Sequence, residues 1–187
     1  YRNRCVINTA AEPQVLNIPV VRTGSKQLVR DVRICYDNDW QRLHLHALKT
    51  AYNLSPFYEY YIDDLLPHYT RHYDFLVDFD MQLMQTVMRL IGLHTDVRLT
   101  DHYDHTPTDC DDLRNAFSAK HHTHDHLTPY WQVFQHKHGF RPDMSIIDLL
   151  FCLGPESIIY LQQEQKENTN RLATVSKQND TFGAQTC

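Results

Sequence analysis

A chain of 187 residues, 42% hydrophobic and 22% charged, has the make-up of an ordinary globular domain and is long enough to bury a real core. Its formal net charge of −5 argues against a nucleic-acid binder, whose domain would usually be basic. No apolar run approaches the ~20 residues that cross a bilayer; the longest, Ile146 to Leu153, is interrupted by Asp148, and Arg2, Asn3 and Arg4 do not lead into the apolar segment of a secretory signal.

The start, Arg4 to Asn8, reads as a strand and Val15 to Val21 as a second, with Pro13 supplying turn chemistry for a hairpin. Pro19 puts the second run at an edge or a bulge. In Leu28 to Tyr36 the residues Val32, Ile34 and Tyr36 alternate with Asp31, Arg33 and Cys35, the pattern of a half-buried strand.

A helix follows, capped by Asn38 or Asp39, with Trp40, Leu43, His44, Ala47, Ala51 and Leu54 on one stripe and Arg42, His46 and Lys49 opposite. Ser55-Pro56 opens a second helix carrying Phe57, Tyr60, Tyr61 and Leu65, which Pro67 ends or kinks; residues 67 to 77 form a third helical piece. Asp80 caps a strong helix with Leu83, Met84, Val87, Met88 and Ile91 inside, closed by Gly92. Val97 to Thr100 is a short strand. From Asp101 to His126 the chain is polar, a long surface segment with a helical patch over Asp112 to Phe117. Thr128-Pro129 opens a helix through Trp131 and Phe134 that Gly139 closes, Ser145 starts an apolar helix to Leu153, and Gly154-Pro155 begins a last helix through Leu161. Residues 1–161 are read as one domain and 162–187 as a polar tail, frayed or disordered. The fold class is α/β: a single, helix-rich domain with a small mixed sheet, partly parallel and in three layers.

Laid out in order, Tyr1-Arg2-Asn3-Arg4, Asn17-Ile18-Pro19-Val20, Asn38 to His44, Ser55-Pro56-Phe57-Tyr58 and Ser145 to Gly154 resemble the blocks of the WbqC-like family. The resemblance runs over most of residues 1 to 161, with Met144 where leucine is usual. Members usually begin with a strand and a proline- and aromatic-rich loop, so this chain looks like a fragment without its opening segment. Many members also carry a further helix and strand after the stretch matching Val97 to Thr100; here the His-rich stretch and Pro129-Tyr130-Trp131-Gln132 stand instead. The resemblance implies a bacterial protein of O-antigen or other surface-polysaccharide biosynthesis. The expected activity is acyl or aminoacyl transfer to a nucleotide-linked amino sugar, and the alternative is a non-catalytic binding or scaffold protein in the same pathway.

Arg2, Asn3, Arg4, Arg42 and His44 are candidates for a pocket that takes an anionic ligand such as a nucleotide sugar, because guanidinium forks match phosphate oxygens in pairs. Against this, Arg2 and Arg4 read equally as charges that keep a sheet edge soluble, and His44 as a core histidine. Trp40 and Tyr58 are candidates for stacking on a sugar or base, Tyr58 because it points away from the Phe57–Tyr61 face; most aromatics at helical spacing are core. Gln132 joins them as a ligand contact.

Ser145 and Asp148 form an S-x-x-D capping pattern, with Asp148 as an acid-base candidate beside His44. Without a GxSxG elbow, Ser145 is not read as a nucleophile. Thirteen histidines are many; His102 to His105 and His121 to His126 hold imidazole and carboxylate groups that suit zinc or nickel, and the second run suits adventitious capture, but with no HExxH frame no physiological metal site is assigned. No GxGxxG or GxxxxGK stands among the five glycines, so no cofactor is expected. Five scattered cysteines without a CxxC pair fit reduced thiols in the cytoplasm.

Overall fold

Strands β1 (Arg4–Ile7) and β2 (Gln14–Asn17) form an antiparallel hairpin, running from Arg4 opposite Asn17 to Ile7 opposite Gln14. The computed structural model describes residues 3–22, 24, 27–114 and 127–167. Ile7 and Leu16 turn inward from the two strands, while Val15 stays exposed, which is the alternation that buries one face of a hairpin.

The predicted third strand is replaced by something less regular. Residues Val29–Asp31 make a 3-10 turn, with the Gln27 amide donating to the Asp31 carbonyl. Beyond it the chain is extended but pairs at single bridges, Val20 with Ile34 and Arg33 with Phe75. Val32 and Ile34 are buried as their alternation predicts, so the face is right and the ladder is missing. The predicted strand at Val97 to Thr100 is irregular chain. The α/β, helix-rich class with a small sheet stands; among the described residues that sheet is the hairpin alone, with no parallel pair and no third layer.

Helix α1 (Trp40–Tyr52) buries Trp40, His44, Ala47, Leu48, Ala51 and Tyr52. Leu43 and Leu54, expected on that stripe, are exposed, so the buried face is rotated toward Leu48 and Tyr52. Asp39 makes no side-chain cap bond; its carboxylate takes the Arg42 guanidinium instead. Helix α2 (Tyr58–Thr70) continues through Pro67 rather than stopping there. Pro67 has no N–H to give the Asp63 carbonyl, but both residues lie on the exposed side, where that carbonyl is open to solvent. After a short extended link, α3 (Leu76–Ile91) begins four residues before Asp80, which is therefore not a cap. Gly92 closes α3 as expected, in the left-handed region at φ 82°.

The helix expected from Thr128 is reduced to α4 (Gln135–His138), closed by Gly139. Helix α5 (Ile146–Leu153) starts at Ser145, whose hydroxyl accepts the Ile147 N–H. A 3-10 turn at Gly154–Glu156 leads into α6, residues 157–167. The core lies where α1, α2, α3 and α5 meet the hairpin, around Leu48, Tyr52, Leu65, Leu76, Leu150 and Phe151. Each such side chain contributes about 1.5–3 kcal/mol on burial.

Candidate functional site

Between the hairpin and the apolar face of α3 lies a groove of about 400 Å³, within the size range of small-molecule sites. Leu83, Met84, Val87, Met88 and Ile91 form one wall. They face it because they recur at three- and four-residue steps, and α3 has only partial cover along that stripe. Cys5, Leu16 and Ile18 from the hairpin form the other wall, and the start of α5, at Ser145 to Ile147, closes one end.

Polar groups reach this groove from several elements, with Tyr69 of α2 and Ser145 at the start of α5 among them. Asn3 and Arg4 come from the hairpin, His44 from α1 and Asp80 from α3. Asn3 is fixed by donating from Nδ2 to the Ile18 carbonyl, 2.9 Å, and to Asn17 Oδ1, 3.2 Å. Nε2 of His44 lies 3.2 Å from the Asn17 carbonyl oxygen. A carbonyl only accepts, so Nε2 carries the proton and Nδ1 keeps a lone pair. Burial pushes the His44 pKa down, against the Asn17 bond, and the ring is neutral near pH ~7. Trp40 and Tyr69 hold it edge-on at 5.1 and 6.0 Å between centroids.

Asp80 is half-buried on an apolar helix face, and no described residue gives it a hydrogen bond or a counter-charge. Desolvation alone pushes its pKa up to about 7, so both protonation states are populated at neutral pH. Cys5 differs. Burial raises its pKa and keeps the thiol protonated, with Ser145 as a side-chain hydrogen-bond partner that opposes the shift.

A second polar group lies inside the fold. Asp148, fully buried on α5, accepts from Tyr52 Oη at 2.8 Å, Tyr130 Oη at 2.6 Å and Gln132 Nε2 at 2.9 Å. Tyr52 Oη in turn accepts the Asn8 N–H at 3.1 Å, and Gln132 clasps Arg141 through both backbone groups at 2.9 Å. Burial still raises the Asp148 pKa, the three donors pulling the other way. Asp148 is thus no capping residue: the Ser145 N–H it would satisfy in a capping box donates to the Val6 carbonyl, 2.7 Å.

Residues 1–129 match the WbqC-like protein family. The chain belongs to that family. No curated protein and no solved structure matches it. The match covers the hairpin, His44 and Asp80, while Gln132, Ser145 and Asp148 lie beyond it.

Of the residues singled out in this WbqC-like chain, Asn3, Arg4 and His44 share the groove. Asp148 and Gln132 meet each other in the interior instead. Arg42 stands on the surface paired with Asp39, away from His44's face of α1. Trp40 is 2% exposed within an aromatic cluster with Phe79 and Tyr36. Tyr58 does not point outward: it is 8% exposed and packs edge-on against Phe151 at 5.2 Å. Arg2 and the run His121 to His126 lie outside the described residues. Among the described residues no group of three histidine, cysteine or acidic side chains is placed to hold a metal ion, and no helix is long and apolar enough to cross a membrane.

Asp80 is the groove residue that sequence reasoning missed. Its place before the apolar run reads as a helix start, yet it falls inside α3 on the same stripe as Leu76, Leu83, Met84 and Val87. A carboxylate in the middle of an apolar helical stripe is the signal that identifies it.

Proposed function

We propose that this WbqC-like protein transfers an acyl or aminoacyl group to the amine of a nucleotide-linked amino sugar in bacterial surface-polysaccharide biosynthesis. The observation that carries this reading is the meeting of Asn3, Arg4, His44 and Asp80 at one apolar groove. The apolar wall on α3 suits the acyl part of a donor, and Arg4, exposed on β1, suits the phosphates of the sugar nucleotide.

In the reaction, the amine nitrogen attacks the carbonyl carbon of an activated ester or thioester. A C–N bond forms, the bond to the leaving group breaks, and the proton lost by nitrogen passes to Nδ1 of His44. Histidinium then returns that proton to the leaving group. A neutral imidazole with a fixed tautomer is suited to both steps.

A binding protein without turnover would use the same groove, and the position of Arg42 outside it favours that second reading. Thermal denaturation with a panel of UDP- and dTDP-linked amino sugars, followed by acyl transfer assays with thioester donors, separates the two. A shift in Tm with turnover that His44→Gln lowers by ~100-fold or more supports transfer. A shift without turnover supports binding alone, and no shift across the panel overturns the nucleotide-sugar reading.

A further inference from the structure

We infer that the groove between the hairpin and α3 is a receptor for a primary ammonium group carried on an apolar body, with Asp80 as its counter-ion. This deepens the proposed function, since it takes the same groove as the ligand site and names the chemical group that lies against α3.

The argument begins with what is missing around Asp80. A carboxyl withdrawn from water is costly unless a cation or several donors meet it. The interior of this protein follows that rule at Asp148, where three donors converge on one carboxylate. On α3 the rule is broken. Asp80 sits among Leu83, Met84 and Phe79 along the groove and has neither a donor nor a cation among the described residues.

The neighbours do not supply the missing partner. Around the groove, the titratable and charged groups are Arg4 and Cys5 from β1, His44 from α1, Tyr69 from α2 and Asp80 itself from α3. Cys5 and Tyr69 are held in their neutral, protonated forms by burial, and His44 in its neutral form. Arg4 makes no ion pair with Asp80. A ligand that completes this site brings its own positive charge and donors to α3. An ammonium group does so with three N–H donors, and the apolar remainder of the ligand fits against Met84, Val87 and Met88. An anion would face Asp80 across an apolar surface, and a neutral apolar molecule would leave its carboxylate uncompensated.

The test uses hexylamine, 1-hexanol and hexanoate as probes of one shape, titrated into the chain and into Asp80→Asn. Methyl NMR of Met84 and Met88 reports occupancy, and a melting curve checks that the variant is folded. The expected result is hexylamine binding ~10-fold or more tightly than 1-hexanol, with hexanoate weakest and the amine preference lost in Asp80→Asn. Equal binding of amine and alcohol, an amine preference that survives in the variant, or no movement of either methyl would each overturn the inference. The probes carry neither nucleotide nor acyl donor. An amine preference therefore stands even if the transferase reading fails, and its absence leaves that reading to its own panel.

Discussion

Tyr52 on α1 donates its hydroxyl proton to Asp148 on α5 across 2.8 Å, and both side chains are fully shielded from solvent. With the Asn8 N–H arriving on the same hydroxyl, the pair ties the hairpin, the first helix and the fifth into one polar joint. Burial makes that joint sensitive to deletion, because each group left behind is desolvated and without a partner.

Tyr52→Phe is expected to cost ~1–3 kcal/mol, since it strands the Asn8 N–H and one oxygen of Asp148. Asp148→Ala is expected to cost more, ~3–5 kcal/mol, because it strands Tyr52, Tyr130 and Gln132 together. Urea denaturation gives both values. A Tyr52→Phe variant as stable as the parent would mean that the joint is decorative.

Stability should also depend on pH through Asp80. Its folded pKa, about 7, lies above the ordinary carboxylate value. The native state therefore holds a proton that the unfolded chain releases, so the stability this provides is present below about pH 4 and lost as the pH rises through about 7. Asp80→Asn removes the titration. Its gain in Tm over the parent should grow between about pH 5 and about pH 8. Discounted for partial exposure, the gain at the upper end is ~1 kcal/mol, or about 2–4 °C. Parallel Tm-against-pH curves for parent and variant would contradict the assignment.

Gly154 and Gly92 make a matched pair. At Gly154 the backbone has φ 55° and ψ −124°, and an added Cβ would lie 2.6 Å from the Phe57 ring. At Gly92 φ is 82° with no atom within 4 Å of the added carbon. Gly154→Ala should cost on the order of 2–4 kcal/mol, from strain and a clash with the start of α2, against about 1 kcal/mol for Gly92→Ala. Denaturation midpoints of the two variants test the order.

Much of the fold was legible because it follows local periodicity. The hairpin, the Ser145 cap, Gly92 and the inner wall of α3 follow from alternation, side-chain capping and three- and four-residue spacing. What failed was decided by tertiary contacts. Leu43 and Leu54 fit the α1 stripe as well as Leu48 does, but the face that packs is the one from which Tyr52 reaches Asp148, 96 residues away. Leu28 to Tyr36 alternates like a strand, yet its neighbours are a post-proline stretch and the link before α3, which give single bridges. Pro67 was overvalued as a breaker because it lies in the last turn on the exposed side.

The residues of the candidate groove were legible in the same partial way. Asn3, Arg4 and His44 were named as polar candidates near a sheet edge and a helix start, and they share the groove. For Asp148 the S-x-x-D spacing permits a cap and leaves an acid-base role as the alternative, but neither reading points to its three donors, which come from segments no local pattern connects.

The central claim is that the groove beside α3 is where this protein holds its ligand. The most direct measurement is a titration of the chain with a UDP-linked amino sugar while the methionine methyl resonances are followed. Met84 and Met88 line the groove, whereas Met81, on the same helix, does not, so it serves as an internal control. The account predicts saturable shifts at Met84 and Met88 that Arg4→Ala weakens, with Met81 unmoved. Shifts absent at both groove methionines, or equal at all three, would contradict it.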